Sequence, residues 1–370
     1  MADYKIVLGS LFGGEGKGAT INWLCKKAQS ENKSCAVVRY SNGPQSKHTV
    51  VEKGIRHVYS SFGSGTTVGC PTIYQPGVLM DPVCYTNEYK ILATKGIFPV
   101  ANIGPFCKVI SPYDVIANRT DKTNMAQGST GKGVYKAKSR GLIYYFHNVM
   151  GDGNRCEDFF EATARWYNIK RIPKVEELYK NAFLFVWAQF QMNKELKESN
   201  YDTLIYEGTQ GLLLDADKGF LPYVTATSVI PKLESFPKGT EVYLVCRSYL
   251  FRHGNHGNEL KMRELPSRPK FDYTNCWNKY QGLAEKGVFD IDLLAEAFKR
   301  HNLSKYDHVK YNLVITHCDE IDSNFEYIVH GVVRQGSLSS FVEAIKSNVG
   351  IPFDHIYTND KEESNITIYQ

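Results

Sequence analysis

The chain has 370 residues, of which 42% are hydrophobic and 22% charged, and its formal net charge is +5. Those are ordinary globular proportions, which exclude a disordered or collagen-like chain. A charge this mild, with no run of five or more Lys or Arg, excludes a nucleic-acid-binding arm and suits phosphorylated small molecules. The length fits two domains or one large α/β domain over residues 1–370, and the absence of a clear linker or internal repeat favours the single domain. Residues 1–10 lack the basic start and apolar stretch of a signal peptide. The longest mostly apolar stretch, about nine residues from Ala182 and broken by Gln189, falls well short of the ~20 needed to cross a bilayer. A cytoplasmic protein with no membrane partner and no direct nucleic-acid partner is expected. The nine cysteines are scattered and none is spaced as CxxC, which points to reduced thiols rather than a disulfide framework or a zinc knuckle.

In chain order, residues 4–9 are a short apolar run ending in glycine, as a buried parallel strand would be. Residues 19–29 put Ile21, Leu24, Cys25 and Ala28 on one helical face, and residues 34–39 are again strand-like. The opening is thus a βαβ unit with a right-handed crossover. Residues 60–135 are rich in Gly, Pro, Ser and Thr and read as site-lining loops carrying short strand-like pieces. Pro173 starts a long amphipathic helix over residues 175–197. Strands are expected at 203–206, 242–245 and 312–315, helices at 291–300 and 339–349, and an edge strand in the last five residues. Alternation of strands and helices makes the class α/β, with a large, mostly parallel central sheet, flanking helices and long site-lining loops.

The segment from Gly9 to Gly18 lies between the first strand and the first helix and has glycine at four of six positions, 13, 14, 16 and 18. Such a loop lets backbone N–H groups approach an anion closely, and the helix N-terminus and Lys17 add positive charge, as a triphosphate requires. It is not a Walker A loop: Leu11 stands where that motif needs glycine, and Gly18 where it needs Ser or Thr.

This loop resembles the G-x-x-x-G-D-E-G-K-G of the adenylosuccinate synthetase family. The run Arg39-Tyr40-Ser41-Asn42-Gly43-Pro44-Gln45-Ser46-Lys47-His48-Thr49 resembles the family's R-Y-x-x-G-x-N-A-G-H-T. Residues 207–225, Glu-Gly-Thr-Gln-Gly onward to Pro-Tyr-Val-Thr, match the family's longest motif over nineteen positions without a gap. Gly128-Ser129-Thr130-Gly131-Lys132-Gly133 resembles G-T-T-G-[RK]-G, and the likeness is expected to run from about residue 4 to at least 320. The resemblance implies a P-loop-related α/β fold and a two-step ligation. A nucleoside triphosphate phosphorylates the 6-oxygen of a purine monophosphate, and the amino group of L-aspartate then displaces that phosphate. Mg²⁺ and a homodimer are implied in the same way.

By that resemblance, His48 and Lys17 are catalytic, and the triphosphate site comprises Gly13, Gly14, Glu15, Gly16, Lys17, Gly18, Lys47, His48, Thr49, His317 and Asp319. The monophosphate site comprises Gly14, Asn42, Gln45, Ser129, Thr130, Arg140, Gln210 and Thr225, with Arg140 or Lys138 reaching a partner subunit's phosphate. Ser267, Arg268 and Lys270 stand for the aspartate-binding loop, where Arg268 can grip a dicarboxylate bidentately and Lys270 offers only a point charge. Asp319 suits guanine recognition, but His317 replaces the family's lysine, so ATP, dATP and GTP all stand as phosphate donors.

One departure matters most. The family's essential aspartate precedes the glutamate of the first loop; here that position is Gly14. Glycine cannot take a proton or bind Mg²⁺ through a side chain, so the backbone carbonyls of Gly14 and Lys47 are the expected metal ligands. Gly14 is also expected to leave an opening for a guanine 2-amino group. In this the chain resembles a phage branch of the family that uses dGMP, whose members have a small residue at that position. The reading is therefore a ligase joining L-aspartate to dGMP, which would give N6-succino-2-amino-2′-deoxyadenylate. An IMP-directed synthetase and a non-catalytic nucleotide-binding protein are the alternatives.

Overall fold

The computed structural model describes residues 2–123, 128–150, 155–253, 281–282, 284–321, 324–359 and 366–369. Nine strands form the central sheet: β1 (Asp3–Gly9), β2 (Cys35–Arg39), β3 (Thr72–Tyr74), β4 (Ala101–Ile103), β5 (Thr203–Gly211), β6 (Glu241–Arg247), β7 (Lys310–Thr316), β8 (His355–Asn359) and β9 (Ile366–Ile368). Their order is β9-β8-β7-β6-β1-β5-β2-β3-β4, and every pairing is parallel except the antiparallel β8–β9 at one edge. The α/β expectation, with a mostly parallel sheet, holds.

The strands read as continuous apolar runs because both faces are covered. Ile6 and Leu8 of β1 join one core with Leu244 of β6 and Phe341, while Val7 between them joins the opposite core with Ile21, Leu24 and Val37. The first helix, α1 (Lys17–Ser30), follows the glycine loop directly and lies on the second face.

The middle of the chain corrects the expectation of loops over 60–135. It holds α2 (Pro82–Thr94) and α3 (Pro112–Thr120). With α4 (Cys156–Trp166) and α5 (Pro173–Asn193), this stretch builds an aromatic core around Tyr85, Phe159, Phe160 and Phe183. Both missed helices carry ordinary start signals. Asp81 accepts from the Val83 and Cys84 amides at 2.9 and 3.1 Å. Ser111 and Asp114 form a reciprocal capping box, and proline takes the first helical position in each. Further on, α6 (Ile291–Arg300) and α7 (Leu338–Asn348) pack on the first face. No described helix is long and apolar enough to cross a membrane.

Candidate active site

Five neighbouring strands of the sheet end on one side. The ends of β1, β5, β2, β6 and β7 deliver Gly9, Gln210, Arg39, Arg247 and Thr316 to the same C-terminal side, where open parallel sheets bind ligands. The loop after β1 is pinned there by the Ser10 amide on the Val245 carbonyl at 2.8 Å and by the Thr316 hydroxyl on the Glu15 carbonyl at 2.9 Å. Gly16 caps α1 at φ 87°, and a Cβ there would stand 2.8 Å from Thr316 Cγ2, so conformation and space both require glycine. At the start of α1, Gly18 packs on the hairpin strand His48–Glu52; its Cβ position lies 2.9 Å from His48 Cβ and 3.0 Å from the Thr49 carbonyl oxygen. The fold thus gathers Gly13, Gly14, Glu15, Gly16, Lys17, Gly18, His48 and Thr49.

Charge is buried inside this loop. Glu15 and Lys17 are 3% exposed, and their charged groups lie 3.8 Å apart. The Leu11 amide donates to Glu15 Oε1 at 2.6 Å, while Oε2 has no hydrogen-bond partner among the described residues. Burial raises the Glu15 carboxyl to about 7 against the pull of Lys17 and the loop amides. Burial likewise lowers Lys17, opposed by Glu15 and Glu207. Loop amides that can receive a phosphate are thus directed at the protein's own carboxyl.

His48 is held by a residue that motif reading passed over. Its Nδ1 makes a very short hydrogen bond to Glu207, a fully buried carboxylate at the end of β5. Ser64 fixes the same carboxylate through its hydroxyl at 2.5 Å and its amide at 3.2 Å. Burial alone would raise Glu207, but His48, Arg39 and Ser64 together hold it below its ordinary value. Burial lowers His48 despite Glu207, with Lys17 and Arg39 pulling the same way. A neutral imidazole donating Nδ1–H to a carboxylate leaves Nε2 as an acceptor, the form of a general base. The signal was available, since Glu207 opens the nineteen-residue match.

The monophosphate residues form a second network. Asn42, fully buried, donates to Thr209 Oγ1 at 2.6 Å and accepts from Gln45 at 2.8 Å and Thr225 at 2.9 Å. Gln210 reaches Ser46 at 3.5 Å. Ser129 and Asn118 exchange hydrogen bonds at 2.9 and 3.1 Å, tying the loop that carries Thr130 to α3. His317 and Asp319 follow β7; His317 Nδ1 lies 2.7 Å from the Thr316 hydroxyl, and Asp319 is exposed. Ser267, Arg268 and Lys270 lie outside the described residues.

Three expectations need correction. Arg140 does not reach outward. It is 4% exposed, ion-paired with Asp114, and donates to the carbonyls of Val109 at 2.7 Å and Leu142 at 3.0 Å. Lys138 is exposed and is the better placed of the two. Gly14 does not face an opening, because a Cβ there would stand 2.7 Å from Phe251 Cε1, and its φ is +69°. Phe251 fills the space. Nor does the Gly14 carbonyl suit Mg²⁺: it accepts Arg247 Nε–H at 2.5 Å, and a second cation on that oxygen would face the guanidinium. Arg247 in turn lies 4.2 Å over the Phe251 ring. Arg247, Phe251 and Ser64 are site residues outside every matched motif, and Glu207 lies inside one without having been read as a site residue.

The sequence profile of the family described as adenylosuccinate synthetase matches residues 6–263. The chain belongs to that family. The synthetase of Psychromonas ingrahamii is 29% identical over 259 residues, covering 62% of this chain and 56% of that protein. That of Thermosipho africanus is 30% identical over 276 residues, covering 68% and 65%. The matched region thus spans little more than half the length of the first of these relatives. The profile match lies within the span expected, from about residue 4 to at least 320. In three dimensions the similarity covers the whole chain. Fully ligated adenylosuccinate synthetase of Plasmodium falciparum superposes with a TM-score of 0.72 at 15% identity, covering all of both chains. The succinoaminodeoxyadenylate synthetase PurZ of cyanophage S-2L, bound to dGMP and dATP, gives 0.63 at 16% identity, covering all of this chain and 95% of that one. At those identities the likeness is one of fold.

Proposed function

We propose that this chain is a ligase that joins L-aspartate to C6 of a purine nucleoside monophosphate, with dGMP as the substrate and ATP, dATP or GTP as the phosphate donor. The observation that carries the reading is the buried His48–Glu207 pair beside Lys17, set where no carboxylate stands at position 14. His48 takes the purine N1 proton on Nε2, and the imidazolium is stabilised by Glu207. The 6-oxygen attacks the γ-phosphorus and displaces the nucleoside diphosphate; the aspartate amine then attacks C6, gives up a proton and expels phosphate. Lys17 and the loop amides hold the phosphates. Mg²⁺, when bound, would neutralise charge on the triphosphate, with the backbone carbonyl of Lys47 rather than that of Gly14 to hold it. Asn42, Gln45, Gln210 and Thr225 grip the monophosphate, Ser129 and Thr130 line it, and Arg268 with Ser267 and Lys270 receives aspartate. The protein works in the cytoplasm as a homodimer.

The dGMP assignment is supported by the missing carboxylate and by likeness in fold to a synthetase bound to dGMP and dATP. A second reading, IMP as substrate, is favoured by Phe251, which takes the room expected for a 2-amino group. An assay with aspartate, Mg²⁺ and each triphosphate, followed by purine absorbance and phosphate release, separates them. Turnover of dGMP over IMP supports the first reading, the reverse supports the second, and turnover of neither defeats both.

A further inference from the structure

Three cysteines remote in sequence meet near the N-terminal ends of β2 and β3, at the opposite end of the sheet from the active site. Cys25 lies on α1, Cys35 opens β2, and Cys70 stands two residues before β3. All three are buried, and their sulfurs lie within 4.8 Å of one another, with Cys35 and Cys70 2.7 Å apart. Strand register accounts for the meeting of two. Val37 pairs with Thr72, so the positions two residues earlier on both chains, 35 and 70, fall side by side. Helix α1 crosses this end of the sheet and adds Cys25. Gly65 leaves room for it, since a Cβ there would stand 2.4 Å from Cys25 Sγ.

Apolar packing accounts for one buried cysteine, which behaves as a small hydrophobe. It gives no reason for three sulfurs turned onto one point. Their packing partners Leu24, Ala28 and Val37 bring no oxygen or nitrogen ligand in their side chains. One polar side chain at the rim is Gln29, exposed, which donates to the Val68 carbonyl at 2.8 Å and lies 3.6 Å from Cys70 Sγ; the Tyr201 phenol is also near enough to feel Cys70 and Cys35.

We propose that Cys25, Cys35 and Cys70 form a structural site for a thiophilic divalent cation of the zinc class, with the fourth coordination position on the Gln29 side. Thiolates select soft or borderline d¹⁰ ions over magnesium or calcium. Charge selects the valence: three thiolates leave two negative charges on a monovalent ion but one on a divalent ion, and residual charge is what an apolar pocket penalises. Tetrahedral geometry with Zn–S near ~2.3 Å places sulfurs ~3.8 Å apart, so the Cys35–Cys70 pair would open by ~1 Å within the present cluster. Binding would displace the thiol protons. The ion would tie α1 to β2 and to the segment before β3, steadying the helix that carries Lys17 without entering the chemistry.

The test uses the full chain purified without chelator. About one zinc per chain is expected by elemental mass spectrometry, released as a mercurial titrates the thiols. Replacement by Co²⁺ should give thiolate charge-transfer absorption and the visible bands of a tetrahedral ion. Cys25→Ser and Cys70→Ser should lose the metal and melt at lower temperature while keeping ligase turnover well below that temperature. Wild-type protein that neither contains zinc nor binds added Zn²⁺ or Co²⁺ overturns the proposal, as does a Cys35–Cys70 disulfide found by non-reducing peptide mapping. Should the serine variants fail to fold, the wild-type metal count and cobalt spectrum decide alone.

Discussion

The glycine loop and the wall formed by Arg247 and Phe251 meet at Gly14, and they bury charge in different company. The loop buries the Glu15–Lys17 pair, and His48 and Glu207 beside it are also less than a tenth exposed. The wall buries a guanidinium against aromatic rings, and at position 14 it presents no acid. Phe251 takes the space beside Gly14, and the proton acceptor proposed for this site is a histidine bound to Glu207.

The most damaging way to break this contrast is at the His48–Glu207 pair. His48→Ala should lower kcat by about 10²–10⁴-fold with little change in KM. Glu207→Gln should lower it by a similar amount and move the acid limb of the pH–rate profile. Glu207 raises the His48 pKa, so its removal lets that pKa fall and shifts the limb to lower pH. A kcat loss with an unmoved limb would reduce Glu207 to a packing role.

Glu15 offers the next largest effect. Its folded value of about 7 lies above the ordinary 4.5. Below pH 4.5 both folded and unfolded chains hold the proton. As pH rises from 4.5 to 7 the unfolded chain releases it first, so stability falls across that window and the penalty is complete above 7. The shift corresponds to about 3 kcal/mol. Glu15→Gln should remove it, raising stability by up to about 3 kcal/mol at pH 8 and leaving pH 4 unchanged, as read from denaturant midpoints in the absence of nucleotide. Equal pH dependence in the two proteins would show that the carboxyl is solvated.

How far the sequence reached follows the same division. The βαβ opening, the parallel sheet and the loop residues were legible because continuous apolar strands and clustered glycines each admit few structures. Residues 60–135 misled because their abundant Gly, Pro and Ser masked two short helices, although Asp81-Pro82 and Ser111-Pro112 announce both starts. Arg140 was misjudged because a motif position cannot show that Asp114 lies inside to receive it. Phe251 is separated from Gly14 by 236 intervening residues, and no local pattern links them.

That long-range contact yields the last test. Gly14→Asp places a Cβ 2.7–2.8 Å from the Phe251 ring at a φ of +69°, a region aspartate tolerates better than most residues. Steric crowding should dominate, costing about 1–3 kcal/mol in thermal or denaturant unfolding. Phe251→Ala alone should cost a similar amount through the cavity it leaves, yet the double variant should be more stable than the sum of the two losses, because each change relieves the other. In that double variant the carboxylate is restored and the ring is gone, so relative kcat/KM should move toward IMP by about 10–200-fold, the range one small group controls. Additive losses would mean that the ring and position 14 do not compete for space. Coupled stability with unmoved preference would assign the choice of purine to the Asn42–Gln45–Thr225 network instead.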